Sequence, residues 1–565
     1  MNGNSNYSLI IEEQLKILYG HRSSKMHDRI NELIKKWKSI LGHHIRKMPD
    51  QKDVILIVYG DSIYDRGEKP LATLFRFLKN YASDFITGVH ILPFFPYTSD
   101  DGYSITDYYL VRDELGSWED IRNISGQYKL MVDLVINHIS RSSPWFEGYL
   151  KCDSRYKDFF ITADPEQDYS KVVRPRTLPL LTPVETSEGV KHVWTTFSPD
   201  QIDLNFANPD VLLEILNALL TYVSYGATYI RLDAVGFIWK QIGTTCMNLK
   251  QTHAIVKLIR AVLDETAPGT IIVTETNVPH EENISYLGNG DEAHMVYQFP
   301  LPPLTMFTLQ SGDATKLSKW AKSLENTPMN ENNTYLNFLA SHDGIGIRPV
   351  EDILDEDEKK LLLDTVIKNG GRISYRTNKD GSVSPYEMNI SYMDGITNAS
   401  KSKEERFRRF MAAQAIMLSL KGVPAVYYHS LLGSGNWIEG VESTGINRRI
   451  NREKLSYTYL AEELSDESSL RSMVFSAYKK ILKIRGMHSA FSPFAHQRVL
   501  DLSPCLFAVE RYHPLTEEKV IVIVNVTDKV IKLPEPIQGI ELLSSGNNEV
   551  ITQLKPYQIV WIKTR

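Results

Sequence analysis

Four short segments carry most of the chemistry this chain can do: Asp133-Leu-Val-Ile-Asn-His138, Arg231-Leu-Asp-Ala-Val235, Ile271-Ile-Val-Thr-Glu275 and Ala340-Ser-His-Asp343. Each couples an apolar run to carboxylate, imidazole or guanidinium groups, the pattern of a buried strand that delivers its last residue into a site. Two carboxylates, a stabilising third and polar clamps are the residue types of a retaining glycosidase-type centre. Arg231 and Asp233, two apart on a strand, share a face. The guanidinium should lower the carboxylate's pKa and keep it ionised, as a nucleophile for an anomeric carbon requires. A purely structural ion pair would carry the same pattern. Glu275 closes an apolar run, where burial should raise its pKa and let it protonate a leaving glycosidic oxygen. A glutamate that only caps the next helix would look alike. For retention the two carboxylates should stand about 5–5.5 Å apart. Asp343 would clamp sugar hydroxyls, and His342 and His138 would donate to hydroxyls near the anomeric centre. Asp100-Asp-Gly-Tyr103 adds an acceptor and a stacking ring, or is a tight turn and nothing more.

The elements that must position these groups alternate. Strands are expected at Val54–Tyr59, Gly88–Leu92, Lys129–Val135, Ala227–Leu232, Thr270–Thr274, Tyr335–Leu339 and Val423–Tyr428, with helices at 210–224, 250–265 and 404–420 between some of them. Repeated βα units imply a parallel sheet, and the count suits a (β/α)8 TIM barrel with its site at the carboxyl ends of the strands. The fold class is therefore α/β. Residues 1–50 read as an N-terminal helical extension, with helix over 8–48 and Ile30, Leu33, Ile34, Trp37 and Ile40 on one stripe. Residues 51–490 form the barrel, interrupted by a proline-rich subdomain at 140–206 and by an insertion at 348–400. That second insertion holds an acidic helix (352–368) and the stretch Asn378-Lys-Asp-Gly-Ser-Val-Ser384. Residues 491–565 change to short alternating strands, a C-terminal β domain.

At 565 residues, 42% hydrophobic and 23% charged, the chain is globular rather than disordered. A net charge of -6 gives no case for a nucleic-acid partner. Cys152, Cys246 and Cys505 are odd in number and widely spaced, which argues against a disulfide framework or a zinc site and suits a reducing compartment. The start, Met1-Asn-Gly-Asn-Ser-Asn, lacks a signal-peptide pattern. No run has the apolar length of a membrane span. A cytoplasmic protein is expected, and a homodimer is compatible with the sequence.

On these residues the chain resembles the α-amylase superfamily, and within it the sucrose phosphorylase subfamily. His90-Ile-Leu-Pro-Phe-Phe95, Leu115-Gly-Ser-Trp118, Arg174-Pro-Arg176, Leu301-Pro-Pro-Leu304, Arg231–Gly236 and Ser341-His-Asp-Gly-Ile-Gly346 stand as that subfamily writes them. The resemblance implies Asp233 as nucleophile, Glu275 as acid/base and Asp343 as transition-state stabiliser. It implies a glucosyl pocket of Asp100, Tyr103, His138, Arg231 and His342, with Phe197 as a stacking ring. It also places Arg448 where a phosphate-contacting arginine belongs and Arg176 in the loop that reshapes the acceptor site. The reaction implied is phosphorolysis of an α-glucoside, a transferase activity in carbohydrate metabolism with no cofactor and no metal. Asn277, Val173, Ser384 and the pair Tyr386-Glu387 depart from sucrose phosphorylases, all on the acceptor side. The N-terminal extension, Thr276-Asn-Val-Pro-His280 and Leu178-Pro-Leu-Leu-Thr-Pro183 look like the glucosylglycerate phosphorylase branch. A glycerate leaving group favours a cationic pocket, for which Arg176 and Arg448 are the expected donors. Glu387 would oppose an anion there unless it pairs with one of them, which keeps glucosylglycerol open as an uncharged alternative; sucrose and sucrose 6-phosphate are further alternatives. A retaining hydrolase or transglucosidase would use the same carboxylates, and an inactive sugar-binding protein would lack one of them.

Overall fold

The parallel strands read from the sequence are buried on both faces, which is why they are nearly continuous apolar runs. A computed structural model describes the chain except for residues 1–3, 43–46, 328, 379–381, 545 and 565. The first three residues of the chain, part of the 8–48 helix and Lys379-Asp-Gly381 of the inserted stretch therefore lie outside the described residues. Eight parallel strands close into a barrel: β1 (Ile55–Val58), β2 (Gly88–Ile91), β3 (Lys129–Val135), β4 (Ala227–Asp233), β5 (Ile271–Thr274), β6 (Met295–Tyr297), β7 (Thr334–Asn337) and β8 (Val423–Tyr427). β8 closes the ring by pairing with β1, Ala425 opposite Ile55. β6 is the strand that the sequence does not announce. Three residues between a Gly/Asn/Asp loop and Leu301-Pro-Pro-Leu304 are too few for a periodic signal, and β6 is held instead by β5 and β7 on either side.

The register does the positioning. Asp133 on β3 lies opposite Arg231 on β4, and Val135 opposite Asp233. Arg231 in turn lies opposite Val273 on β5. Residues two apart share a face, so Asp133, Arg231 and Asp233 all enter the barrel mouth together.

The N-terminal segment is two helices rather than one. Gly20, at φ +55°, opens a short turn between α1 (Asn4–Tyr19) and α2 (Ser23–Leu41). The pair packs on the barrel helices α3 (Pro209–Ser224) and α4 (Lys250–Thr266). Ile30, Ile34 and Trp37 are buried as the stripe predicts, while Ile40 is exposed. Trp37 Nε1 donates to Asn217 Oδ1 at 3.1 Å, which anchors α2 to α3.

After β3 an antiparallel pair, His138–Ser140 with Gln201–Asp203, ties together the ends of the proline-rich stretch. That stretch holds the helix Pro144–Leu150 and the hairpin Leu181–Thr186/Gly189–Trp194. After β7 come a three-stranded sheet (Ile345–Gly346, Arg372–Thr377, Val383–Asn389) and a helix, Glu356–Lys368. That helix starts four residues later than expected, because Asp355 caps it in a reciprocal capping box with Glu358.

The C-terminal strands β9 (His496–Val499), β10 (Leu506–His513), β11 (Glu518–Asn525), β12 (Ile531–Glu541), β13 (Asn548–Leu554) and β14 (Ile559–Thr564) form one antiparallel sheet in the order 9-10-11-14-12-13. Its alternation is two-sided: Phe507 and Val509 join the barrel's core, and Leu506 and Ala508 a second, smaller one. Two fully buried arginines seal this junction through main-chain carbonyls. Arg485 reaches Leu418, Gln51, Gly422 and Phe491 at 2.7 to 3.3 Å. Arg511 reaches Ser419 at 3.0 Å and Ser492 at 2.8 Å. No described helix is long and apolar enough to cross a membrane.

Arg511→Met should orphan these buried carbonyls and cost about 3 kcal/mol of stability. Urea unfolding followed by tryptophan fluorescence would read this, and an unchanged midpoint would contradict it.

Candidate active site

Every residue predicted for the site lines one cavity at the carboxyl ends of the barrel strands: the carboxylates Asp233, Glu275 and Asp343, and Asp100, Tyr103, His138, Phe197, Arg231, His342, Arg176, Arg448, Tyr386 and Glu387. Its centre is one buried cation among carboxylates. Arg231 Nη1 donates to Asp133 and, at 2.7 Å, to Asp233 Oδ1; its Nη2 stands 3.9 Å from Glu275 Oε2. Asp133 is wholly buried and is also bonded at 2.6 Å by His90 Nε2. Burial would raise its pKa, but Arg231 and His90 outweigh that and hold it at about 2. Much of the guanidinium's charge is therefore committed to Asp133.

That sharing changes the expectation for Asp233 and Glu275. Asp233 ends up raised, against the lowering by Arg231 that the sequence suggests. Burial raises both Asp233 and Glu275, Arg231 opposes this, and the charges of neighbouring carboxylates raise both further. Carboxylates gathered around one cation take up protons as a coupled set rather than ionising independently. The direct 2.7 Å bond from Arg231 favours charge on Asp233 and leaves the proton on Glu275. Glu275 is fixed by the backbone N–H of Ala234, which donates to Oε2 at 3.0 Å. Ala234 adopts φ +47°, a conformation that costs energy for a residue with a Cβ. That strain points the N–H at the acid.

The sugar side is equally built. Asp100 and Asp101 both have positive φ, and a Cβ on Gly102 would meet the Pro93 carbonyl oxygen at 2.8 Å. The turn therefore needs its glycine. Asp101 is gripped by Arg449 and Arg452, each at 2.5 Å. Tyr103 stacks on His342, with ring centroids 4.9 Å apart. Burial holds His342 neutral, with a pKa of about 3. Its Nδ1 has no partner among the described residues. His138 is also kept neutral by burial, and its Nε2 bonds the Tyr103 carbonyl at 2.8 Å. In this structure that nitrogen shapes the turn rather than facing open space. Phe197 stands 5.4 Å from the His138 ring.

On the acceptor side Arg448 is clamped. Its Nη1 lies 2.5 Å from Asp343 Oδ1, while Nε and Nη2 grip Glu387 at 3.0 and 3.1 Å. Glu387 also accepts from the Gly344 N–H. Burial works against ionised Asp343, but Arg448, His342 and Arg452 hold its pKa well below the usual carboxylate range. The condition set for Glu387 beside an anion is met by this pairing. Arg176 stands over the Tyr386 ring, 6.0 Å from its centroid. Sequence reasoning assigned no role to Asp133, Gln201 or Arg452. Asp133 was visible as the start of a quoted motif, whereas Gln201 and Arg452 offered no local signal.

Residues 80–363 match the α-amylase catalytic domain, and the chain belongs to that family. It is similar along its whole length to the glucosylglycerate phosphorylase of Allomeiothermus silvanus, 48% identical over 98% of each chain. The glucosylglycerate phosphorylase of Escherichia coli is 41% identical, over 98% of this chain and 99% of that one. Among solved structures, the sucrose 6F-phosphate phosphorylase from Thermoanaerobacter thermosaccharolyticum superposes with a TM-score of 0.74 at 26% identity, covering 89% of this chain and 99% of that one.

Asp133→Asn removes a negative charge that raises the proton affinity of Asp233 and Glu275, and frees Arg231 to lower it further. The alkaline limb of kcat/KM, where the shared proton is lost, should then move about one unit to lower pH. A pH–rate profile in which that limb stays or moves up would contradict the shared-proton account.

Proposed function

We propose that the protein is a retaining α-glucoside phosphorylase that cleaves 2-O-α-glucosylglycerate with inorganic phosphate to give α-glucose 1-phosphate and glycerate, reversibly. The observation that carries this reading is the full-length similarity to glucosylglycerate phosphorylases. A cavity that sets arginines beside three carboxylates supports it. Asp233 attacks the anomeric carbon as the bond to glycerate breaks, and Glu275 gives its proton to the departing oxygen. A β-glucosyl ester of Asp233 results. A phosphate oxygen then attacks the same carbon, Glu275 takes the phosphate's proton, and the ester bond returns its electrons to Asp233. Two inversions give net retention. Asp343 holds sugar hydroxyls in the distorted ring, and Arg231, with the Tyr103–His342 stack, frames the glucosyl ring.

Phosphate is held by Arg448 and Arg176. With Arg448 already bonded to Asp343 and Glu387, an incoming anion competes with Glu387 for the guanidinium. Tyr386 and Glu387 therefore belong to the acceptor site, where they set the balance between the sugar-acid and phosphate states. In this reading the inserted stretches 140–206 and 348–400 are the subdomains that build specificity, residues 1–50 the extension and 491–565 the C-terminal domain. The enzyme works in the cytoplasm on small molecules alone, without a cofactor or metal, and a homodimer is compatible with that role.

The test is glucose 1-phosphate formation from glucosylglycerate, glucosylglycerol and sucrose, each with and without phosphate. Phosphate-dependent product chiefly from glucosylglycerate is expected. Free glucose at equal rates without phosphate would instead mean a hydrolase. Asp233→Asn should lower phosphorolysis and the reverse reaction on the order of 10⁴-fold, and turnover near the wild-type rate would exclude Asp233 as nucleophile.

A further inference from the structure

Beyond Glu275 the cavity continues outward into a vestibule walled by four arginines, Arg174, Arg176, Arg348 and Arg376, with Glu275 at its inner end and Glu351 as the other acidic side chain among its lining residues. Two of the four are committed within the protein. Arg376 donates to Glu351 Oε1 at 2.8 Å and to Ser384 Oγ at 3.2 Å, and Arg174 donates to the Leu178 carbonyl. Arg448, further in, already carries two carboxylates. Among the described residues, Arg176 and Arg348 have no carboxylate or hydrogen-bond partner. Arg348 shares with Glu275 and Asn277 the pocket directly outside Glu275, while Arg176 also lines the central cavity, together with Arg448 and the same two residues.

Arg348 follows the short strand Ile345–Gly346, which runs against Asn277. A Cβ on Gly346 would meet the Asn277 amide nitrogen at 2.8 Å. The other end of that amide, Oδ1, is buried with no hydrogen-bond partner among the described residues. A buried, unpartnered acceptor next to an unpaired guanidinium is matched by a ligand that carries a hydroxyl and a carboxylate a few atoms apart. A leaving group that Glu275 protonates as it leaves the anomeric carbon would face that pocket.

We propose that Arg348 and Asn277 are the specificity-determining residues for an anionic hydroxy-acid leaving group, Arg348 taking its carboxylate and Asn277 accepting from its free hydroxyl. This rests on the phosphorolytic reading above. It assigns the sugar acid to Arg348 and leaves phosphate to Arg448 and Arg176, so the two anions do not share one guanidinium.

The test compares kcat/KM for glucosylglycerate with that for glucosylglycerol, which lacks only the carboxylate function, in wild type, Arg348→Gln and Arg348→Lys. In Arg348→Gln the ratio should fall about 100-fold, the worth of a charge-assisted contact. Arg348→Lys should recover part of it, keeping the charge but losing the planar fork. An equal fall on both substrates, or an unchanged ratio, overturns the assignment. The phosphate KM measured with α-glucosyl fluoride as donor separates the two anions: a rise matching the loss on glucosylglycerate would make Arg348 a phosphate ligand and overturn the proposal. Wild-type enzyme that forms no glucose 1-phosphate from glucosylglycerate would overturn the function and this assignment together, whereas wild-type turnover with an unmoved ratio overturns the assignment alone.

Discussion

One guanidinium organises the centre of this protein. Arg231 is buried at the mouth of the barrel with Asp133 and Asp233 bonded to it and Glu275 just beyond. A buried cation is tolerated only when its charge is met, and a buried carboxylate likewise. Three acids around one base leave negative charge in excess, and the site meets that excess by keeping a proton. The barrel contributes the register: adjacent parallel strands set Asp133 opposite Arg231 and Asp233 one pleat further, so the charges meet without any loop having to find them.

The same matching of charge, with the signs exchanged, recurs around Arg448 and Asp101. Arg448 is met by Asp343 and Glu387, and Asp101 by Arg449 and Arg452. These groups come from segments far apart in sequence: the turn after β2, the residues just after β7, the strand Val383–Asn389 of the second insertion and the segment after β8. Each segment thus contributes a charge that another neutralises. Asp133, Arg231 and Asp233 sit on barrel strands, whereas Glu387 sits on an added segment that can vary without disturbing the barrel.

The sequence shows much of this because strand ends carry their chemistry in the open. Asp233, Glu275 and Asp343 each follow an apolar run, and the strands that deliver them are long enough to show it. What it hides has a physical reason in each case. β6 is three residues long, below the length at which any periodicity exists, and only its neighbours make it a strand. The break at Gly20 turns on a single positive φ within an otherwise helical pattern. The lowering expected for Asp233 failed because burial, together with the charges of Glu275 and of Asp133 almost a hundred residues away, outweighs the cation that the strand itself shows. The pairing of Glu387 with Arg448 is not readable along the sequence, since the two side chains stand on separate segments and meet only in three dimensions.

The two buried arginines at the base of the barrel bear on the order in which the chain is made. Arg485 and Arg511 solvate carbonyls of the segment leading into β8, at Leu418, Ser419 and Gly422. Arg511 lies on β10, within the C-terminal sheet. A nascent chain that has emitted all eight barrel strands still lacks the cation that satisfies the approach to the last of them. Barrel closure is then coupled to arrival of the C-terminal sheet, and a ribosome-bound intermediate would hold β8 as its least settled strand until translation is nearly complete.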